Sequence, residues 1–429
     1  MPPSFPDPAA LIPALDGLPA PWSLMALLLF VTFVLHLILM NTVVGVALIT
    51  LAAKTGLFSG RTAPVHLVEK GEYTPDVLLP KGVALVVNFG IPPFLFMQCI
   101  FGQYIYASSV LMALWWLSVM LVVMLAYYGL YINMNKSGLS ETARATALGI
   151  AVLLLLWNAF LFVNNMTLLQ NPERWAAYAQ NAGGTLLNLG DPQVIPRWLH
   201  VILSCLAVGG LSLALPAAIH LRRLAREGGD PAKALPHLES KRKALRWFFF
   251  ATLAQIPVGA WFFMALPKAQ RGLFMGGDFL ATALFVLSLV LTVVSLITAW
   301  RERAWCATWS TLLVIVMMAG MRTLLRSSML EPFYSPHMRQ LDLGPLALFL
   351  GSLALSAVAV AWLAKVYWRH KPPAGGMEHD PALAASYAED DPDLMREIAR
   401  MREREALLVI ELVTSGKDAD AEEDKGGNN

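Results

Sequence analysis

Eight stretches of the sequence, 18 to 54 residues long, contain no Asp, Glu, Lys or Arg. A helix needs about 20 apolar residues to cross a bilayer, so each stretch can supply at least one crossing. The second stretch has 54 residues, and we predict a turn in it near Ala107, Ser108 and Ser109. The pattern predicts an all-α polytopic membrane protein, a nine-helix bundle. The stretches are residues 17–53, 82–135, 145–172, 198–221, 247–267, 279–300, 304–321 and 343–364.

The distribution of basic residues predicts the orientation. If the N-terminus is outside, the inner loops carry 19 Lys and Arg residues and the outer loops carry six. Basic residues concentrate in cytoplasmic loops. We therefore predict a multi-pass protein of the bacterial cytoplasmic (inner) membrane, with a periplasmic N-terminus and a cytoplasmic C-terminus.

Composition divides the chain into three regions. Residues 1–21 are a Pro-rich periplasmic segment, 22–370 form the transmembrane domain, and 371–429 are an acidic cytoplasmic tail. The tail sequence DLMREIARMREREALLVIELV predicts one short amphipathic helix, which either folds back on the basic inner loops or docks a partner subunit. Only 14% of all residues are charged, which excludes a soluble enzyme and a nucleic-acid binder.

Ionisable side chains within a predicted span are candidates for function because they are costly in lipid. His36 lies inside the first helix and His200 near the outer start of the fifth. Each imidazole is either a core histidine bonded to a neighbouring helix or a ligand of a metal or haem iron. Small residues follow His200 and would let a flat macrocycle lie against the helix: Ser204, Ala207, Gly209 and Gly210.

Methionine and arginine side chains could complete a haem site at the same outer face. Met275 lies at the start of the seventh helix and Met321 near the end of the eighth. A His and a Met from different helices can ligate one haem iron, although a Met alone is often only core packing. Four arginines match haem propionates, or else extend to lipid headgroups: Arg197, Arg271, Arg322 and Arg326.

Several segments carry a family resemblance. HLILMNTVVGVALITL lies in the first helix, NFGIPPFLFMQCIFGQY in the second and LLWNAFLFVNNMTLLQNPERW in the fourth. DPQVIPRWLHVILSCLAVGG and RGLFMGGDF follow. In this order they resemble subunit I of cytochrome bd quinol oxidases, and more closely the divergent bd-like haem membrane subunits. The resemblance implies nine helices, His36 as the high-spin haem ligand, and His200 with Met275 as the low-spin haem b ligands.

The chain departs from that family at three places. The third helix, in LMALWWLSVMLVVMLAYYGLY, lacks the family's two glutamates. The eighth helix lacks the glutamate ligand of a second haem b and has Met321 and Arg322 nearby. The quinol-binding loop shrinks to PKAQRGLFMGGD. We therefore expect an electron-carrying core without efficient oxygen reduction.

Together these features predict a haem-b-bearing membrane subunit of a respiratory electron-transfer complex. It would hold one to three haems b, using His36, His200, Met275 and Met321 as iron ligands. As a quinol-linked oxidoreductase it would pass electrons between the quinol pool and a periplasmic cytochrome c or multihaem cytochrome subunit. A further cytoplasmic or membrane partner subunit is also expected. The alternatives are a haem-less structural anchor subunit and a polytopic transporter.

Overall fold

The computed structural model describes residues 17–56, 74–135, 138–181, 183–228, 231–331, 333–336 and 339–370. Within these residues, nine helices are long and apolar enough to cross a membrane, which confirms the predicted all-helical, multi-pass architecture. The predicted tail helix, and residues 1–16 of the N-terminal segment, lie outside the described residues. The helices are α1 (Trp22–Lys54), α2 (Pro75–Leu111), α3 (Ala113–Met134), α4 (Glu141–Leu169), α5 (Val194–Arg226), α6 (Pro231–Ala265), α7 (Phe279–Trp300), α8 (Ala304–Leu330) and α9 (Leu343–His370).

The chain divides into two compact units, residues up to 346 and residues from 347 onward. In the first unit, α1–α4 pack as one group and α5–α8 as another, and α1 packs along α5 to join them. The described part of the second unit is the remainder of α9. The basic end of the first unit is where α1, α3, α5 and α7 finish; the opposite end is where they start.

The turn within the longest apolar stretch was predicted at the wrong place. The chain breaks at Met112, between α2 and α3, rather than at residues 107–109. The amide of Leu114 donates to the carbonyl of Gly184 (2.9 Å), and the amide of Leu186 donates to the carbonyl of Leu111 (3.1 Å). A later segment therefore satisfies the backbone groups that the break exposes, and this compensation fixes its position.

Glycines bring the two groups of helices into backbone contact. A Cβ on Gly45 of α1 would lie 1.7 Å from the carbonyl oxygen of Cys205 on α5. A Cβ on Gly209 would lie 2.5 Å from the carbonyl carbon of Gly45, and one on Gly210 would lie 2.7 Å from the amide nitrogen of Phe248 on α6. These two glycines of α5 thus serve helix packing. The expectation that they make room for a macrocycle is wrong.

A buried polar cluster ties α1–α4 together at the basic end. Lys54 Nζ donates to Asp76 Oδ2 (2.9 Å) and to Asn133 Oδ1 (2.8 Å). Arg144 Nη2 also donates to Asp76 Oδ2 (3.1 Å), and its Nε donates to the Asn133 carbonyl (2.9 Å). Each helix contributes one residue, so the cluster, here called the four-helix clamp, sets the relative position of all four ends.

Residues of the loop after α8 cap a kink in α2. Phe101 has non-helical torsion angles (φ −122°, ψ 33°). Arg339 Nη1 donates to the carbonyl of Cys99 (2.6 Å), and the Tyr334 hydroxyl donates to the carbonyl of Ile100. Burial raises the pKa of the Tyr334 phenol, which keeps it in the protonated, donating form. The loop after α8 therefore stabilises the kink.

Candidate cofactor site

His200 lies on α5 near the opposite end, against α6. A Cβ on Gly259 of α6 would lie 4.0 Å from Nδ1 of His200, so glycine leaves the imidazole space on that side. Both ring nitrogens are buried, and neither has a hydrogen-bond partner among the described residues. A buried imidazole without partners is costly, and a ligand that engages one nitrogen would reduce that cost.

Arg197 lies one helical turn before His200. Its Nη1 donates to Gln170 Oε1 (3.1 Å) and its Nη2 donates to Gln193 Oε1 (3.0 Å). The guanidinium carbon stands 5.1 Å from the ring centroid of Phe262 on α6. Two neutral amides and an aromatic face thus position this cation without neutralising its charge.

Arg322 and Arg326 of α8 extend the positive charge toward α1 and α2. The guanidinium carbon of Arg322 lies 4.3 Å from the ring centroid of Phe33, and that of Arg326 lies 4.7 Å from the ring centroid of Phe101. Arg326 is 3% exposed, its Nη1 lies 3.4 Å from Met97 Sδ, and its Nε has no partner in the described part of the chain.

These three guanidiniums form a cluster of like charge, here called the arginine cluster. Arg322 is close enough to repel both Arg197 and Arg326. No carboxylate of the described residues lies within ion-pair distance of any of the three. A cluster of this kind favours an anionic ligand.

His36 lies on α1, one turn from Phe33, and faces α2. Its Nδ1 is 3.1 Å from the carbonyl oxygen of Val86, and a Cβ on Gly90 would lie 2.9 Å from its Cε1. The bond to a neighbouring helix agrees with the core-histidine interpretation. It also agrees with the ligand interpretation, because Nδ1–H donation to a carbonyl fixes the tautomer that presents the lone pair of Nε2.

The two candidate methionines lie in different surroundings. Met321 is partly buried and packs against the same buried cluster as Phe262, the ring under Arg197. Met275 is 70% exposed and follows the short helical turn Lys268–Gly272, within the wide turn Leu273–Gly277. With Arg271 it lines a separate open cavity of about 390 Å³.

The structure therefore brings together only part of the predicted set. Arg197, one turn from His200, lies near Arg322, and Met321 packs against the same buried cluster as Phe262. His36 lies one turn from Phe33, the ring under Arg322. Met275 and Arg271 lie apart from these residues, in the segment just before α7. The sequence analysis missed the residues that hold the arginines, which are Gln170, Gln193, Phe262, Phe33 and Phe101. Aromatic residues and amides near predicted span ends were the signal that could have found them.

No family model matches the chain, and no curated protein matches it. Among solved structures, the chain is similar to the bd oxidase from Geobacillus thermodenitrificans, with a TM-score of 0.57. The identity is 14%, and the match covers 83% of this chain and 100% of that chain. At this identity the likeness establishes a distant relationship of fold, which agrees with the resemblance found in the sequence.

Proposed function

We propose that the chain is a haem-b-bearing membrane subunit of a respiratory electron-transfer complex. The observation that carries the proposal is the buried imidazole of His200, which has no partner for either nitrogen among the described residues. One nitrogen would bind iron, which removes the larger part of that unfavourable burial. The distant similarity of fold to the bd oxidase supports the proposal, because it suggests a membrane subunit of respiratory type.

The residues present fit a haem. His200 supplies a ligand nitrogen beside Gly259, and the arginine cluster supplies positive charge for two propionates. Gln170 and Gln193 hold Arg197 in place through one hydrogen bond each. When bound, haem b supplies reversible one-electron transfer, and this chain sets its ligands, its surroundings and its exclusion from water.

Two methionines are candidates for a second iron ligand that would pair with His200. The family resemblance assigns Met275, which would have to turn inward from an exposed site. Packing favours Met321, which packs against the same buried cluster as Phe262, the ring under Arg197. Whichever methionine binds, the other keeps a packing or surface role.

His36 is the proposed ligand of a further haem, between α1 and α2. The carbonyl of Val86 orients its ring, and Phe33, one turn away on α1, lies under Arg322. Arg322 lies over Phe33 and near Arg197, so it would lower the energy of negative charge bound beside either His36 or His200.

The predicted topology completes the proposal. The opposite end, with His200, would face the periplasm, and the basic end and residues 371–429 would face the cytoplasm of a bacterial inner-membrane protein. Residues 1–21 would be periplasmic, and 22–370 would form the transmembrane haem-binding domain. Electrons would enter from the quinol pool or a partner and leave to a periplasmic cytochrome c or a multihaem cytochrome subunit.

The reduced-minus-oxidised absorption spectrum of the purified protein tests the proposal. We expect a Soret band and sharp α-bands in the wild type, and loss of the low-spin component in His200→Ala. The matched control is His220→Ala, on the same helix at the basic end, where His220 stacks on His237 with ring centroids 5.1 Å apart. The control should keep its spectrum.

Two outcomes would contradict the proposal. A wild-type protein without haem absorption, purified with haem supplied during expression, leaves a haem-less anchor subunit as the function. A His200→Ala spectrum identical with that of the wild type rejects His200 as a ligand, even if haem is present.

A further inference from the structure

The basic end carries a second concentration of charge, at the junction of α6 with the turn between α7 and α8. Glu302 lies in this turn with a positive φ of 57°. Its carboxylate pairs with two cations of α6. Lys241 Nζ lies 3.6 Å from Glu302 Oε2, and Arg242 Nε lies 2.6 Å from Glu302 Oε1. These contacts fix the turn against α6. The cations at the junction are Lys241, Arg242, Lys243, Arg246, Arg301 and Arg303.

Arg246 lies on the face of α6 that meets this turn. Arg242, one turn before it, bonds to Glu302, and Phe249, about one turn after it, contacts Trp300 with ring centroids 5.3 Å apart. Arg246 and Arg301 are both exposed, and neither forms an ion pair with a described carboxylate. Two unneutralised guanidiniums thus lie beside the contact between the helices.

An apolar surface leads from these arginines into the membrane-spanning part of both helices. On α6 it begins with Phe250 and Leu253, which are 61% and 44% exposed. On α7 it follows Trp300, Ile297 and Val293, which are 73%, 47% and 53% exposed. The spacing of three to four residues places each set on one helical face. A phosphate-binding head and an apolar strip in line with it match the two parts of a phospholipid.

We propose that this junction binds an anionic phospholipid. Its phosphate would accept hydrogen bonds from Arg246 and Arg301, and its acyl chains would lie along the exposed apolar residues of α6 and α7. The six cations outnumber the two carboxylates nearby, Glu239 and Glu302, and this excess favours a lipid with net negative charge over a zwitterionic one. The Trp300 indole would lie at headgroup level, where tryptophan is enriched in membrane proteins.

The test measures thermal unfolding of the purified full-length chain in neutral detergent with increasing phosphatidylglycerol. A ligand that binds only the folded state raises Tm in step with its concentration. We expect a rise with phosphatidylglycerol, a smaller one with phosphatidylcholine of the same acyl chains, and none with inorganic phosphate. In the Arg246→Gln/Arg301→Gln variant the apparent affinity should fall about 30-fold, because each basic residue contributes about fivefold.

The matched control is Arg226→Gln/Lys233→Gln, which removes the same charge from exposed positions on the α5–α6 hairpin. It should respond to phosphatidylglycerol like the wild type, and all proteins should share one Tm without lipid. An equal response to both lipids, an equal response to phosphate alone, or an equal loss in the control pair would each overturn the proposal. The test does not depend on haem, so it can fail or succeed independently of the proposed function.

Discussion

Each member of the arginine cluster holds a permanent positive charge away from bulk water. Aromatic faces and neutral amides position these charges, and no described carboxylate pairs with them. Removing an unpaired buried charge normally relieves strain on the fold, so a merely structural arginine should be replaceable by a neutral side chain. An arginine that balances the charge of an anionic cofactor should not be replaceable in this way.

Arg326→Gln separates these possibilities. We expect the variant to retain less haem and the remaining haem to have a lower reduction potential by roughly 50–100 mV, the scale of losing one unit charge in a low-dielectric interior. Nearby cations disfavour the ferric form, so removing one favours it. Spectroelectrochemical titration measures the shift, with Lys233→Gln as a control. Full haem content and an unchanged potential in Arg326→Gln would assign the arginine to packing.

Replacing each candidate methionine by leucine identifies the second ligand. Leucine has nearly the volume of methionine, so both variants should fold. We expect Met321→Leu to shift the reduced α-band and lower the reduction potential, since Met321 packs against the same buried cluster as Phe262, the ring under Arg197. Met275→Leu, at a 70% exposed site, serves as its control. The reverse result would return the ligand to the turn before α7.

The sequence identified candidate residue types for the site, but it did not predict the contacts that position them. His36 and His200 stood out because an imidazole within an apolar run needs a partner. The same logic could not say that Nδ1 of His36 meets the Val86 carbonyl, or that Phe262 lies under Arg197. Those contacts depend on the rotation of one helix against another, which local sequence does not encode.

At the scale of the helices, the close contact of α1 with α5 depends on Gly45, which has no side chain. Gly45→Ala would place a methyl group 1.7 Å from the carbonyl oxygen of Cys205, so α1 and α5 would have to separate. We expect a clear fall in Tm, measured by thermal unfolding of the purified protein. Gly102→Ala in α2 is the matched control, because a Cβ there would meet nothing within 4 Å. The Tm of this variant should not fall.

The four-helix clamp should be sensitive to the loss of its central carboxylate. Asp76→Asn leaves Lys54 without a carboxylate and leaves Arg144 with only the exposed Glu141, and we expect a cost of about 3 kcal/mol in the free energy of unfolding. Glu302→Gln removes a carboxylate that is 36% exposed, against 15% for Asp76, and should cost less than about 1 kcal/mol. Equal costs would show that the clamp gains nothing from burial.

The helix boundaries show where pattern alone stops being informative. Apolar length predicted nine spans, because the bilayer imposes that length on any sequence. It misplaced the break between α2 and α3, because Ser108 can satisfy its hydroxyl within the helix, at the carbonyl of Ile105 (3.0 Å). The true break at Met112 depends on backbone bonds from residues more than 70 positions later.

For the whole molecule, the distribution of carboxylates limits the chemistry. Oxygen reduction at a buried haem consumes protons, which membrane proteins deliver along Asp, Glu or His side chains. Neither α3 nor α8 contains a carboxylate. We therefore expect the purified complex, given reduced quinol, to consume oxygen slowly. Fast, cyanide-sensitive oxygen uptake in an oxygen electrode would contradict this expectation.

The capped kink of α2 has a consequence for biosynthesis. The carbonyls of Cys99 and Ile100 obtain their donors from residues 240 and 234 positions later, Arg339 and Tyr334. At roughly 5–20 residues per second, a ribosome delivers those donors about 12–50 s after α2 has been made. For that interval the two carbonyls of α2 lack the donors that cap them. A nascent chain released before Tyr334 therefore lacks both donors, so the kink of the second helix is capped only after the eighth helix has been made.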